Sequence, residues 1–230
     1  MMKKLIAPAL AAGIALAAMP VASHAQVNGM AVAEASVAVA GSQPLQSGFQ
    51  QVGTTYQTQI TALEQYQTQR QQLLQQLDTN GDGSLDEAEQ AVIEDTNNPV
   101  VQQLAALEQN INTVQAPIQM ARLYVVSQVA EQYAPAVQQV ISDRQIQIML
   151  APEAILYAPD EANVTELVSQ AINARLPAVS ITPPQGWQPN QATVNLYQQI
   201  QQVFAIARAQ QQAAAGQAPA AAAGAQVNGR

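Results

Sequence analysis

Pro99-Val-Val-Gln-Gln-Leu104-Ala-Ala-Leu107-Glu-Gln-Asn-Ile111-Asn-Thr-Val114-Gln-Ala-Pro117-Ile118-Gln-Met-Ala121-Arg-Leu-Tyr-Val125 decides the fold. Its residues Leu104, Leu107, Ile111, Val114, Ile118, Ala121 and Val125 alternate spacings of three and four, which is the seam of a helix packed along a partner. Asn98 before Pro99 reads as a cap and a first helical turn. The helix can continue to about Asp143, with Pro117 and Pro135 as expected kinks. Upstream, Phe49, Val52, Tyr56, Ile60, Leu63, Tyr66, Leu73 or Leu74, and Leu77 keep the same rhythm. Pro44 to Leu77 is therefore expected to be one long polar helix with a narrow apolar stripe, ~50 Å long. Two such helices form an antiparallel hairpin. Tyr56, Tyr66, Tyr124 and Tyr133 are expected to serve interhelical packing rather than ligand binding.

Between the two helices runs Asp78-Thr-Asn80-Gly-Asp82-Gly83-Ser84-Leu85-Asp86-Glu-Ala-Glu89, which matches every ligand position of an EF-hand loop. Asp78, Asn80 and Asp82 place side-chain oxygens at positions 1, 3 and 5, and Gly83 sits at the sharp turn. Ser84 offers its carbonyl at position 7, Asp86 acts at position 9, and Glu89 supplies the closing bidentate carboxylate. A hard cation takes such oxygens, so weak calcium binding is expected, in a single site without the usual paired loop. The competing reading is an acidic Asn-Gly and Asp-Gly turn that needs no metal. A short helix from Glu87 to Asp95 and the Asn97 to Pro99 bend then complete the chain reversal.

Composition excludes much. Met1-Met2-Lys3-Lys4, an apolar stretch from Leu5 to about Val21 and Ser23-His24-Ala25 read as a signal peptide over 1–25, cut after Ala25. The alternative of an uncleaved anchor is opposed by Pro8, Gly13 and Pro20. The mature chain is expected to have no transmembrane segment. Cleavage removes both lysines and the one histidine, and there is no cysteine, so the formal charge falls from -8 to -10. Imidazole, thiol and amine chemistry are thereby lost, and an enzyme would have to use carboxylates such as Asp160 and Glu161. The chain is accordingly read as not an enzyme. The acidic balance also argues against nucleic acid as a partner. Seven of the sixteen acids fall between Asp78 and Asp95, and glutamine supplies most of the remaining polar surface.

The rest reads as a small body. Residues 26–42 carry a first strand, from Val27 to Ala33, and a helical turn over Glu34 to Ala40. Residues 43–143 are the arm. Residues 144–182 return to the body, with Gln145 to Leu150 alternating as a strand, Ala154 to Tyr157 as a second, and Val179 to Ile181 as a further one. Asn163 is a plausible cap for a helix running to about Leu176. Residues 183–212 comprise a proline-rich linker, with Trp187 as a packing anchor, and a C-terminal helix from about Gln191. The tail 213–230 lacks bulky apolar residues and is expected to be disordered. The fold class is thus α+β, mainly α: a long coiled-coil-like hairpin projecting from a small β-containing body. The short strands cannot make an independent sheet and need partners from other chains.

An exported chain with this element order resembles the OmpH/Skp family of periplasmic chaperones over roughly Met30 to Leu176. The most specific segment is Ile146-Gln-Ile-Met-Leu-Ala-Pro-Glu-Ala-Ile-Leu-Tyr157 followed by the Asn163 to Leu176 helix. The Val179 to Pro189 stretch looks like that of sphingomonad-type members. The resemblance implies a periplasmic homotrimer whose hairpins surround a cavity and hold unfolded outer-membrane proteins without ATP. The chain departs from the family in lacking basic arms and in carrying the Asp78 to Glu89 loop at the arm tip. Client holding is the first reading of function; a calcium-responsive binding module of the cell envelope is the second.

Overall fold

A computed structural model describes residues 29–83 and 86–216, so the signal peptide expected over 1–25 lies outside the described residues. The elements run β1 (Met30–Val32), α1 (Ala35–Gly41), α2 (Gln43–Thr55), α3 (Gln57–Leu77), α4 (Glu87–Glu94), α5 (Pro99–Arg144), β2 (Ile148–Leu150), α6 (Thr165–Arg175) and α7 (Gln191–Gly216). The fold is mainly helical with one two-stranded sheet, as the apolar periods require.

The α5 helix is the spine. At 46 residues it is ~69 Å long. Asn98 caps it, its Oδ1 accepting from the Val100 N–H at 2.8 Å, and Pro99 fills the first turn. The helix runs unbroken through Pro117 and Pro135, each of which removes one ladder hydrogen bond. It stops at Gln145, held left-handed at φ 54°. There the Gln145 N–H reaches the Ser142 carbonyl and the Ile146 N–H the Ile141 carbonyl at 3.0 Å, the pair of bonds that closes a Schellman end.

The partner of α5 is two helices rather than the single one expected from Pro44 to Leu77. The chain leaves helical geometry at Tyr56 (φ -102°, ψ 22°), separating α2 from α3. Gly53, Thr54 and Thr55 precede the break, and none of the three is a strong helix former. The two halves of the hairpin also pack differently. Toward the body, Ile118, Ala121, Val125, Val126 and Val129 of α5 are buried; toward the tip, Leu107 is buried while Leu104, Ile111 and Val114 are partly exposed. Arg70 of α3 and Glu108 of α5 form an exposed ion pair across this distal half, which contributes ~0–1 kcal/mol.

The body is built around α1, α6 and α7. Ala38, Val39 and Ala40 of α1, Val168 and Ile172 of α6, and Ile200 of α7 join the α2 and α5 residues in one core. Burying a side chain such as Ile172 or Val168, both fully enclosed, contributes ~1.5–3 kcal/mol each. The α7 helix packs on α1 and α5. Phe49 of α2 meets Tyr197 and Phe204 of α7 edge-on, each at 6.3 Å between ring centres. It continues to Gly216, so 213–216 are helical where a tail was expected, and 217–230 lie outside the described residues.

The sheet is smaller than the sequence suggested. β1 and β2 pair in parallel with Met30 opposite Ile148 and Val32 opposite Leu150. An isolated bridge joins Val32 to Asn163. Ala154 to Tyr157 is not a strand: Pro152 opens a short 3-10 turn over Pro152–Ala154, and the residues after it find no neighbouring strand among the described residues. Val179 to Ile181 is not a strand either. The side-chain amide of Gln128 stands in for one, donating from Nε2 to the Ser180 carbonyl at 2.8 Å and accepting from the Ser180 N–H at 3.0 Å. A further turn over Pro184 to Trp187, with Gly186 at φ 78°, brings Trp187 edge-on to Tyr124 at 5.1 Å. Trp187 thus anchors the linker on α5. Asn163 acts one residue earlier than a formal cap, its Oδ1 accepting from the Thr165 N–H at 3.0 Å.

Candidate functional site at the arm tip

The tip loop forms because α3 ends where its side chains begin to compete with the backbone. Asp78 follows the last helical residue and turns its carboxylate onto the loop: Oδ1 accepts from the Gly81 N–H at 2.7 Å and Oδ2 from the Gly83 N–H at 2.9 Å. Gly81 and Gly83 have φ of 72° and 82°, which glycine adopts without steric cost. Asn80 accepts from the Asp82 N–H at 2.8 Å, and its Nδ2 donates to Asp82 at 3.1 Å and to Asp86 at 3.2 Å. These hydrogen bonds link Asp78, Asn80, Asp82, Asp86 and Glu89 within one loop. Ser84 and Leu85 lie outside the described residues.

Glu89 closes the loop. It is 1% exposed. Its Oε1 accepts from the Thr79 N–H at 2.6 Å, the Thr79 hydroxyl at 3.1 Å and the Asn80 N–H at 3.2 Å. Its Oε2 accepts from the Asp86 N–H at 3.2 Å, while the Glu89 N–H donates back to Asp86 Oδ1 at 3.3 Å. That reciprocal pair is a capping box at the start of α4. The Asp-x-x-Glu spacing carries this signal in the sequence, hidden inside the calcium pattern. Burial raises the Glu89 pKa, but the donors on Asp86, Asn80 and Thr79 outweigh it and hold the carboxyl below its ordinary value.

The donor set is all hard oxygen, as calcium requires. Its present arrangement is closed by internal hydrogen bonds: the Asn80 amide bridges Asp82 and Asp86, and backbone N–H groups occupy Glu89. Among the described residues no three His, Cys, Asp or Glu side chains are grouped as a metal cage. The chemistry of the loop fits the ion, and its occupancy would require Asn80 and Glu89 to exchange these partners for it.

The other predicted residues are dispersed. Asp160 and Glu161 form part of an exposed 3-10 turn far along the chain from the tip, and Asp160 lines a shallow cavity with Asn163, Thr165 and Glu166. Tyr66, Leu73 and Leu107 line an open groove of about 450 Å³ along the distal arm, otherwise walled by Gln69, Gln72 and other amides. Tyr56 packs against the core, Tyr124 meets Trp187, and burial raises the Tyr133 pKa. Sequence reading missed the Gln128 bracket, because a lone glutamine on a glutamine-rich helix carries no pattern. Among the described residues no helix is long and apolar enough to cross a membrane.

No family model matches the chain, and no curated protein matches it. Among solved structures, the chain is similar to an OmpH-like protein from Caulobacter crescentus, described as a candidate outer membrane chaperone. The two share 19% identity over 67% of this chain and 89% of that one, with a TM-score of 0.40. At that level the backbones agree in part, and the functional reading rests on this chain's own residues.

Proposed function

We propose that the chain is a holdase of the OmpH/Skp type, acting in the periplasm as a homotrimer that keeps unfolded outer-membrane proteins soluble without ATP. The observation that carries this reading is the half-packed distal arm. Over α3 and the first half of α5, the seam residues Leu104, Ile111 and Val114 stay half-exposed, and the surrounding surface is glutamine. A hairpin of this kind gains little by closing on itself. It offers weak apolar contact and amide hydrogen bonding to an extended polypeptide, with no ionic selectivity. The expected signal peptide supports export, and a parallel sheet of two short strands, Met30–Val32 and Ile148–Leu150, supports assembly with strands of other copies.

Calcium belongs to the tip in this reading. Asp78, Asn80, Asp82, Asp86 and Glu89, with the Ser84 carbonyl, would hold it. The ion would supply positive charge where the chain concentrates its acids. Without it, the Asp86–Glu89 capping box and the Asp78 turn already order the loop, so holding of clients should need no calcium. That separates the reading from a calcium-responsive module.

The test is dilution of a denatured outer-membrane β-barrel protein into buffer with the chain from residue 26 onward, in calcium and in chelator, scored by light scattering. Suppressed aggregation under both conditions without ATP is expected. A chain that leaves the client to aggregate overturns the proposal. Suppression in calcium alone, abolished by Asp78→Ala with Glu89→Ala, would select the module instead.

A further inference from the structure

The last helix is held less firmly than its length suggests. α7 has 26 residues, yet Ile200 is the one fully buried apolar side chain among its described residues; Leu196, Tyr197, Val203 and Phe204 are half-buried. Among the described residues no hydrogen bond or ion pair joins α7 to another element. α6 differs: the Thr165 hydroxyl accepts from the Glu34 N–H at 3.0 Å, and Asn173 Oδ1 accepts from the Gln43 N–H at 2.7 Å. The grip on α7 is therefore apolar and non-directional. It is also incomplete. A groove of about 540 Å³ opens between α7 and the body, lined by Gln202, Val203 and Ile206 on one side and by Tyr133, Met149 and Leu150 on the other.

We propose that α7 is a releasable cover, and that the body face beneath it, anchored by Phe49, is a second binding surface for an unfolded client. The inference rests on the holdase reading above and adds where on the body a client goes and what it displaces. The surroundings of α7 permit release. Upstream, the strap 177–190 is pinned to α5 by the Gln128 amide on Ser180 and by Trp187 against Tyr124, so α7 can lift without leaving its place in the chain. Its start is capped from within, Asn190 Oδ1 accepting from the Thr193 N–H at 2.8 Å, so the helix keeps this cap when lifted. A terminal element with few anchors opens at lower free energy than the core. What α7 offers the body also states what the face accepts. Gln191 to Ala207 carries no charge, and Tyr197 and Phe204 each meet Phe49 edge-on at 6.3 Å. The occupant is therefore an uncharged client segment bearing aromatic side chains. Charge agrees: Glu34 and Glu153 line the groove of a chain with formal charge -8, so an acidic segment is repelled and an uncharged one is not. Client and α7 compete for one face, and the apparent affinity for client falls with the fraction of chains in which α7 is seated.

The experiment uses the chain from residue 26 onward and its cysteine-free background. Ala35→Cys with Gln202→Cys, which line the groove from the body and from α7, is closed with a flexible bismaleimide. Binding of a fluorophore-labelled, urea-denatured outer-membrane β-barrel protein is then compared with that of the same double variant capped with N-ethylmaleimide. Linking should weaken binding by about fivefold or more. Ile200→Ala, which loosens the cover without adding charge, should strengthen it. Amide exchange over Val194 to Ile206 should quicken when client is added, which a purely structural helix would not show. Equal binding by the linked and capped chains, weaker binding by Ile200→Ala, or slower exchange of α7 with client overturns the cover while the holdase reading stands. Client left unbound by the capped and wild-type chains alike overturns the holdase reading and this inference with it.

Discussion

Gly48 offers a sharp test of how α2 sits in the body. A Cβ placed there would lie 2.7 Å from Val125 Cγ1 and 2.7 Å from Val179 Cγ2, against ordinary carbon contacts of about 3.5–4.0 Å. Val125 is fully buried and β-branched on a helix, so its methyl groups have one strongly preferred rotamer and nowhere to turn. Overpacking of this kind costs ~1–3 kcal/mol, offset by the ~0.8–1.0 kcal/mol helix preference of alanine over glycine. With hard contacts on two sides, Gly48→Ala should destabilise by ~1–2 kcal/mol. Gly53, one and a half turns along the same helix, has nothing within 4 Å of its Cβ position. Gly53→Ala should therefore stabilise, by up to ~1 kcal/mol. Urea unfolding followed by the fluorescence of Trp187, the one tryptophan of the chain and in contact with α5, reads both. Val179→Ala should relieve part of the Gly48→Ala penalty. If Gly48→Ala stabilises as much as Gly53→Ala, α2 is not wedged between α5 and the 179–181 segment, and the packing argument fails.

Three further outcomes follow from named contacts. Gln145→Gly should stabilise by ~0.5–1 kcal/mol, because glycine accepts the left-handed helix end that glutamine holds under strain; a loss of stability in the same urea assay would count against that end geometry. Asn98→Ala should cost ~1 kcal/mol by uncapping α5, and the loosening should appear as faster amide exchange over Val100 to Gln103 rather than in the body. Glu89 is held below its ordinary pKa, so its contribution is present above the unfolded glutamate value of about 4.3 and is lost as pH falls through the lower folded value. Amide protection of Thr79 and Asn80 should therefore collapse on acidification, and Glu89→Gln should remove most of that pH dependence; protection unchanged in acid would mean the carboxylate does not close the loop.

The arm was legible because its signal is periodic: seven seam positions from Leu104 to Val125 share one face, and the cap at Asn98 is a local pattern. The break at Tyr56 was less visible, since the apolar stripe continues across it and only the weak helix formers before it hint at an end. The strands failed for a different reason. The β-branched and aromatic residues in Ala154 to Tyr157 and Val179 to Ile181 report a preference for extended backbone, but a strand also needs a neighbour. In one case the described chain offers none, and in the other a side-chain amide replaces it. The tip was legible as a polar turn between two helices, from its Asn-Gly and Asp-Gly pairs. What the motif concealed was that Asp86 and Glu89 also form a helix cap, so the same atoms satisfy a structural role before any ion is considered.

The most direct test of the account is the mass of the complex formed when a denatured outer-membrane β-barrel protein meets the chain from residue 26 onward without ATP, measured by size-exclusion light scattering. The account predicts a soluble species of three chains and one client, formed in chelator as well as in calcium. A single-chain peak with the client lost to aggregate would contradict it.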